Sequence, residues 1–282
     1  MTMPNFFIVG APKAGTDLLF YQLDQHPQIY MSPLKEPNFF SAEVRSDNFH
    51  PSLQPYIENN ADTMREYLES KPLPKRFGGM VTSHSDYEKL FAQVRSQRAI
   101  GEGSVCYLWS STAAATIANA VSNAKIIMVL MDPAERAFHQ YLKSLADGNV
   151  SHSFSCHLDL AFEDRAYDPL QIRLLNPFLS FGEYSMQVQR YLKHFAREQL
   201  FVSVYEDVQK DYPSWWRRVL DFLEVDSDFV PNGVDVPSTP HFTNRPVPNM
   251  LPQERARLVK FYRDDILQLQ DLIRLDLRHW LV

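Results

Sequence analysis

Near its start the chain reads Phe6-Phe-Ile-Val-Gly10-Ala-Pro12-Lys13-Ala14-Gly15-Thr16-Asp17-Leu18. An apolar run, a turn holding a lysine and a glycine, and the first residues of a helix follow one another without a gap. This order gathers backbone N–H groups, a positive helix end, an ammonium and a hydroxyl around one point. The natural occupant of such a point is a phosphate. In the loop that holds nucleoside triphosphates the lysine follows the second glycine, whereas here Lys13 precedes Gly15.

The elements that must position this turn are legible as alternating patterns. Strand-like apolar runs occur at 6–9, 29–31, 126–131 and 200–205, and helical patterns at 16–25, 134–145, 185–195 and 213–223. Such alternation predicts an α/β fold, a parallel sheet flanked by helices. Ligands of these sheets sit beyond the carboxyl ends of the strands, where the Pro12–Thr16 turn falls. Residues 252–280 carry apolar side chains at helical spacing, begun by Pro252. Residues 41–98 and 147–182 break the alternation and read as acceptor or lid insertions. The proline-rich segment 230–252 reads as an excursion, and the whole of 1–282 as one domain.

Composition narrows the classes. The 282 residues are 45% hydrophobic and 22% charged, as in ordinary globular proteins, and the formal net charge is −6. That balance argues against nucleic acid or a strongly anionic polymer as partner. The two cysteines, Cys106 and Cys156, form no metal-ligand pattern, so no metal and no disulfide framework are expected, and a reducing cytoplasm is the expected compartment. The apolar start is too short for a membrane span and lacks the basic flank of a leader.

Further segments stand in a fixed order after the turn: His26-Pro27, Lys35-Glu36-Pro37-Asn38-Phe39-Phe40, Gly101-Glu102-Gly103-Ser104-Val-Cys-Tyr107, Asp132-Pro133-Ala-Glu135-Arg136-Ala-Phe-His139-Gln-Tyr141, Tyr205-Glu206-Asp207, and the ending with Asp265, Asp276 and Trp280. Together they resemble the sulfotransferases that use 3′-phosphoadenosine 5′-phosphosulfate (PAPS), in the branch that joins bacterial enzymes to the heparan sulfate sulfotransferases. The resemblance runs from residue 5 to Trp280 and implies a P-loop-like sulfotransferase fold. It also implies transfer of a sulfuryl group from PAPS to a hydroxyl or amine, leaving 3′-phosphoadenosine 5′-phosphate (PAP). Pro12, Lys13, Ala14, Gly15, Thr16, Asp17 and Leu18 would hold the 5′-phosphate, and Lys13 would neutralise the leaving group. Glu36 matches the family's general base, a role worth about 10²–10⁴-fold. Lys35, Phe39, Phe40, Ser104 and Tyr107 would face the acceptor. Aromatic residues of the two insertions (Phe49, Tyr56, Phe77, Tyr87, Phe154, Phe162, Tyr167) suit a small organic acceptor better than a charged glycan. Tyr205-Glu206-Asp207, Trp280 and the two aspartates of the ending read as structural.

The resemblance has one departure. The family places an arginine before the Asp-Pro pair and a serine on the following helix to hold the 3′-phosphate; here these positions are Met131 and His139. A charge-assisted arginine–phosphate bond is worth about 1.5–3 kcal/mol. Three arrangements follow. His139 with Arg136, Lys143 or Arg245 rebuilds the site, with Asn244-Arg245 standing where the family closes a loop over the donor. Alternatively the donor lacks a 3′-phosphate, or the fold persists as a binding protein without transfer. A P-loop kinase is a further alternative, which the lysine order opposes.

Overall fold

The computed structural model describes residues 2–48, 54–163, 178–233 and 247–282, leaving aside the side chains of 54–57. Strands form, in chain order, at Phe6–Gly10 (β1), Ile29–Met31 (β2), Leu34–Lys35 (β3), Arg76–Phe77 (β4), Ala99–Gly103 (β5), Lys125–Leu130 (β6) and Leu200–Val204 (β7). Helices form at Thr16–Leu23 (α1), Gln54–Glu69 (α2), His84–Lys89 (α3), Cys106–Trp109 (α4), Ala113–Ala120 (α5), Pro133–Ala146 (α6), Phe154–Glu163 (α7), Tyr184–Leu192 (α8), Tyr205–Lys210 (α9), Tyr212–Leu223 (α10) and Pro252–Ile273 (α11).

Five strands make one parallel sheet in the order β2-β5-β1-β6-β7, and β3 pairs with β4 in a small second sheet. The central strand β1 is buried along its full length, as is β6 apart from Lys125, which is why both are continuous apolar runs. Helix α1 turns Leu19, Phe20 and Leu23 inward, and α6 turns Ala137, Phe138, Tyr141 and Leu142 inward. Asp132 caps α6 by accepting from the Ala134 N–H at 2.8 Å, with Pro133 in the first turn. The predicted turn does follow the carboxyl end of the central strand, between β1 and α1.

Three local expectations change. Strand β5, which pairs β1 with β2, had no apolar signature because it reads Ala-Ile-Gly-Glu-Gly. Its glycines leave room for neighbours: a Cβ on Gly101 would lie 2.1 Å from Cζ of Phe6 and 2.6 Å from the Met31 sulfur. The insertion at 41–98 is not irregular, since it contains α2, β4 and α3, and α7 lies in the other insertion. The C-terminal helix stops at Ile273, where Arg274 adopts a φ of 60°. The chain then brings Trp280 back, so that its indole N–H donates to Glu206 at 3.0 Å. Glu206 also accepts from the Asp132 N–H at 3.3 Å, tying the ends of β6 and β7 to the C-terminal segment. Among the described residues no helix is long and apolar enough to cross a membrane.

Gly101→Ala forces a methyl group into the Phe6 ring and is expected to cost about 1–3 kcal/mol, as overpacking does. A urea titration reads the loss directly, and an unchanged midpoint would mean that Phe6 moves aside freely.

Candidate functional site

The turn between β1 and α1 is shaped by two residues in the left-handed region, Lys13 with φ 72° and Gly15 with φ 82°. Alternating backbone handedness of this kind directs successive N–H groups toward one point. Helix α1 starts with no side-chain cap, so the first amides of Thr16, Asp17 and Leu18 have no partner within the helix. Pro12, Ala14 and the buried Thr16 complete the turn. Tyr205, at the end of β7, closes one side: a Cβ on Gly15 would lie 3.0 Å from its ring. Lys13 is exposed, yet protein around its ammonium displaces enough water to hold its pKa below the ordinary lysine value. Asp17 opposes this desolvation, and Lys143 and Arg136 add to it.

Glu36 sits at the end of β3 with φ 64°. Its Oε1 accepts from Lys35 Nζ at 2.7 Å and its Oε2 from the Val105 N–H at 2.9 Å. Lys35 is buried, and the same Nζ lies 2.7 Å from Asp17 Oδ1. Burial alone would depress the ammonium's pKa, but Glu36 and then Asp17 outweigh it and the net shift is upward. The ammonium also faces the rings of Phe77 and Phe20, at 5.1 and 5.8 Å from their centroids. Lys35 therefore points inward and bridges the anion turn to Glu36, rather than meeting an acceptor.

The loop that follows Glu36 is fastened from behind. The Glu36 N–H donates to Gly103 O at 2.9 Å, the Asn38 N–H to Ser104 Oγ at 3.1 Å, and the Phe40 N–H to the Tyr107 hydroxyl at 3.1 Å. The Asn38 side chain donates to Glu36 O and Gly79 O at 2.8 and 3.0 Å, and the Cys106 thiol donates to Asn38 Oδ1 at 2.9 Å. Arg45 holds the carbonyls of Asn38 and Phe39. Ser104 and Tyr107, expected to face an acceptor, are fully buried and serve as acceptors for the loop's amides. Phe40 is likewise core, edge-on to Phe7, Tyr87 and Tyr107, while Phe39 is half-buried and stacks on Tyr87 at 4.2 Å. Beyond Phe40, Glu43 receives Ser110, Ser111 and Thr112 ahead of α5.

On the side of α6, the expected donor residues separate. Met131 is buried. Arg136 is fully buried and donates to Gln140 and to the Phe178 carbonyl, over the rings of Phe178 and Phe181, so it belongs to the core and offers no fork to an anion. This corrects the expectation that Arg136 binds a donor. His139 is half-exposed, and desolvation first, then the Lys13 charge, lowers its pKa. Lys143, one turn further along α6, pairs with Asp147. Asn244 and Arg245 lie outside the described residues. Sequence reasoning missed Arg255 of α11, whose guanidinium holds Asp132 at 2.7 Å and Glu135 at 3.1 Å.

Of the insertion aromatics, Tyr87 and Phe154 are core and Phe162 packs on Phe261. Phe77 is 61% exposed beside Lys35. Phe49 and Tyr167, and the side chain of Tyr56, lie outside the described residues. No group of three or more His, Cys, Asp or Glu side chains among the described residues could hold a metal ion.

A sequence profile of the sulfotransferase family matches residues 4–229. Along 99% of both chains the protein is similar to the solved structure of a sulfotransferase from Alicyclobacillus acidocaldarius, with 33% identity and a TM-score of 0.76. It is 26% identical over 208 residues to a bifunctional heparan sulfate N-deacetylase/N-sulfotransferase of Drosophila melanogaster, covering 71% of this chain and 18% of that protein. It is 22% identical over 258 residues to carbohydrate sulfotransferase 15 of Mus musculus, covering 79% of this chain and 44% of that one. The chain thus spans less than half the length of these curated relatives.

The Glu43 anchor carries a pH signature. Burial would raise its carboxyl, but hydrogen bonds from Ser110 and Ser111 outweigh burial and lower it from 4.5 to about 2. A carboxyl lowered on folding adds stability above its unfolded value and loses it as pH falls through the folded one. Glu43→Gln is expected to lower stability at pH 7 by about 1–2 kcal/mol, after allowance for solvent screening of a half-exposed group. Urea midpoints compared at pH 7 and pH 3 should show the gap narrowing; a gap independent of pH would exclude the charge as its cause.

Proposed function

Because the chain belongs to the sulfotransferase family, we propose that it transfers the sulfuryl group of PAPS to a hydroxyl or amine of a small-molecule acceptor. The observation that carries this reading is the position of Lys35, 2.7 Å from both Asp17 of the anion turn and Glu36. One buried cation thereby fixes the distance between the group that would hold a donor's phosphate and the group that would take an acceptor's proton.

The turn fits the 5′-phosphate: uncapped amides at the start of α1, left-handed residues at 13 and 15, and the Lys13 ammonium converge there. When bound, PAPS supplies an activated sulfuryl group whose departure leaves charge on that phosphate. Lys13 neutralises this charge, and the helix amides hold the phosphate in line. Glu36 keeps one carboxylate oxygen on Lys35 and the other on the Val105 amide, so its remaining lone pairs are aimed by the protein when it removes the acceptor's proton. The 3′-phosphate falls to His139 and Lys143, which share the electrostatic neighbourhood of Lys13, and to Arg245 where the family closes its loop. The exposed ring of Phe77 beside Lys35 suits a partly apolar acceptor held beneath the 41–98 insertion.

A second reading rests on the buried Met131 and Arg136: a donor without a 3′-phosphate. Calorimetry separates the two. PAP is expected to bind about 10–100-fold more tightly than adenosine 5′-phosphate, the worth of one charge-assisted phosphate site. Equal affinities would favour the second reading. With an active acceptor, Glu36→Gln should lower kcat by about 10²–10⁴-fold. Unchanged turnover would remove Glu36 as the base, and turnover that stops in a chelator would point to nucleoside-triphosphate chemistry instead.

A further inference from the structure

We propose that Glu102, in the middle of β5, is the positioning residue of the Glu36 loop and that its ionisation state sets that loop's geometry. The inference rests on the reading of Glu36 as base and adds a residue that does not itself touch the reacting groups.

Hydroxyl protons fix the direction of every bond around Glu102. Glu102 is fully buried. Its Oε1 accepts from the Ser104 hydroxyl at 2.7 Å, and its Oε2 from the hydroxyls of Tyr87 and Tyr107 at 2.9 and 3.0 Å. A hydroxyl has a single proton. Ser104 and Tyr107 direct theirs at the carboxylate, so each presents only lone pairs elsewhere. Those lone pairs receive the N–H groups of Asn38 and Phe40, both at 3.1 Å. The chain carrying Glu36 is thus held at alternate residues by two hydroxyls whose direction the Glu102 charge dictates. Neighbouring bonds close the frame: Glu36 N–H to Gly103 O, and Val105 N–H to Glu36 Oε2.

Adding a proton to Glu102 breaks this logic. A neutral carboxyl has a donor on one oxygen and competes with the three hydroxyls that face it, so at least one of them must turn away. If the displaced proton of Ser104 or Tyr107 turns toward the amide which that oxygen receives, the loop loses that support. The charge state is poised to change under ordinary conditions. Burial, helped by the Glu36 charge, outweighs the three hydroxyl donors and raises the Glu102 carboxyl from 4.5 to about 7. The titratable groups facing it are Glu36 from the loop, Tyr87 of α3, Cys106 and Tyr107 of α4, and Tyr191 of α8. Burial pushes the three phenols and the thiol well upward, so they remain neutral donors near pH 7.

The test has two arms. In the kinetic arm, native kcat should fall as pH drops through about 7, and Glu102→Gln should lower kcat at pH 8 by about 10²-fold, the cost of a misplaced catalytic group. PAP affinity should change far less than kcat, because the hydrogen bonds of Glu102 reach the loop and not the amides of the anion turn. A limb near pH 7 that persists in Glu102→Gln, or a variant whose kcat matches the native value, would overturn the proposal. In the second arm, no turnover is needed. The amide resonances of Asn38 and Phe40 in the native protein should titrate together near pH 7. Tyr107→Phe should abolish the titration at Phe40, and Ser104→Ala at Asn38. Amides that do not titrate overturn the proposal even if Glu102→Gln fails to fold. A protein that sulfates no acceptor while its amides titrate as expected would sink the proposed function and leave Glu102 as the loop's positioning residue.

Discussion

A buried lysine ammonium between two carboxylates is the constraint around which the site is arranged. Taking Lys35 out of water costs several kcal/mol unless its charge is met at close range. Asp17 and Glu36 meet it from opposite parts of the chain, one in the first turn of α1 and the other at the end of β3. If either partner moves away, the buried cation keeps only one counter-charge. The anion turn and the glutamate loop are therefore tied through one ammonium although separate strands deliver them.

The sheet supplies the second layer of this rigidity. The turn follows the central strand β1, and the glutamate loop leans on its neighbour β5 through Gly103, Ser104 and Val105. Strand β5 is thin where it passes Phe6 and Met31, and it places one carboxylate, Glu102, among three hydroxyls behind the loop. The opposite side of the turn is built differently. Around Lys13, beyond Asp17 of α1, the polar side chains come from α6, with Lys143 and the half-exposed His139, while Arg136 from the same helix is drawn into the core. The anion turn is thus dense with backbone donors, and the opposite side relies on side chains spaced along one helix.

Much of this was legible in the residues. The continuous apolar runs of β1 and β6 follow from burial on both faces, and Lys13-Ala14-Gly15-Thr16 announced an anion turn wherever it was placed. Strand β5 was hidden because its buried positions are occupied by glycine and glutamate, which carry no hydrophobic period. Helix α2 was hidden by its polar composition. Ser104 and Tyr107 were recognised as belonging to the site but assigned to the wrong face: a sequence gives the hydroxyl and not the direction in which its lone pairs point. Arg136 was misread for the related reason that a helix residue's outward or inward sense depends on what packs against it.

The sequence by itself determined the parallel α/β architecture, the position of the anion turn at the carboxyl end of a strand, and the presence of a carboxylate and an ammonium at 36 and 35. Local periodicity and backbone chemistry act over a few residues, and these features need nothing more. Only the tertiary structure decided which charges meet. That Lys35 reaches Asp17, that Glu102 governs the loop of Glu36 from another strand, and that Arg136 turns inward while His139 does not, all depend on contacts between residues far apart in the chain. Burial sets the cost of each unpaired group, and long-range packing alone determines which groups are buried together.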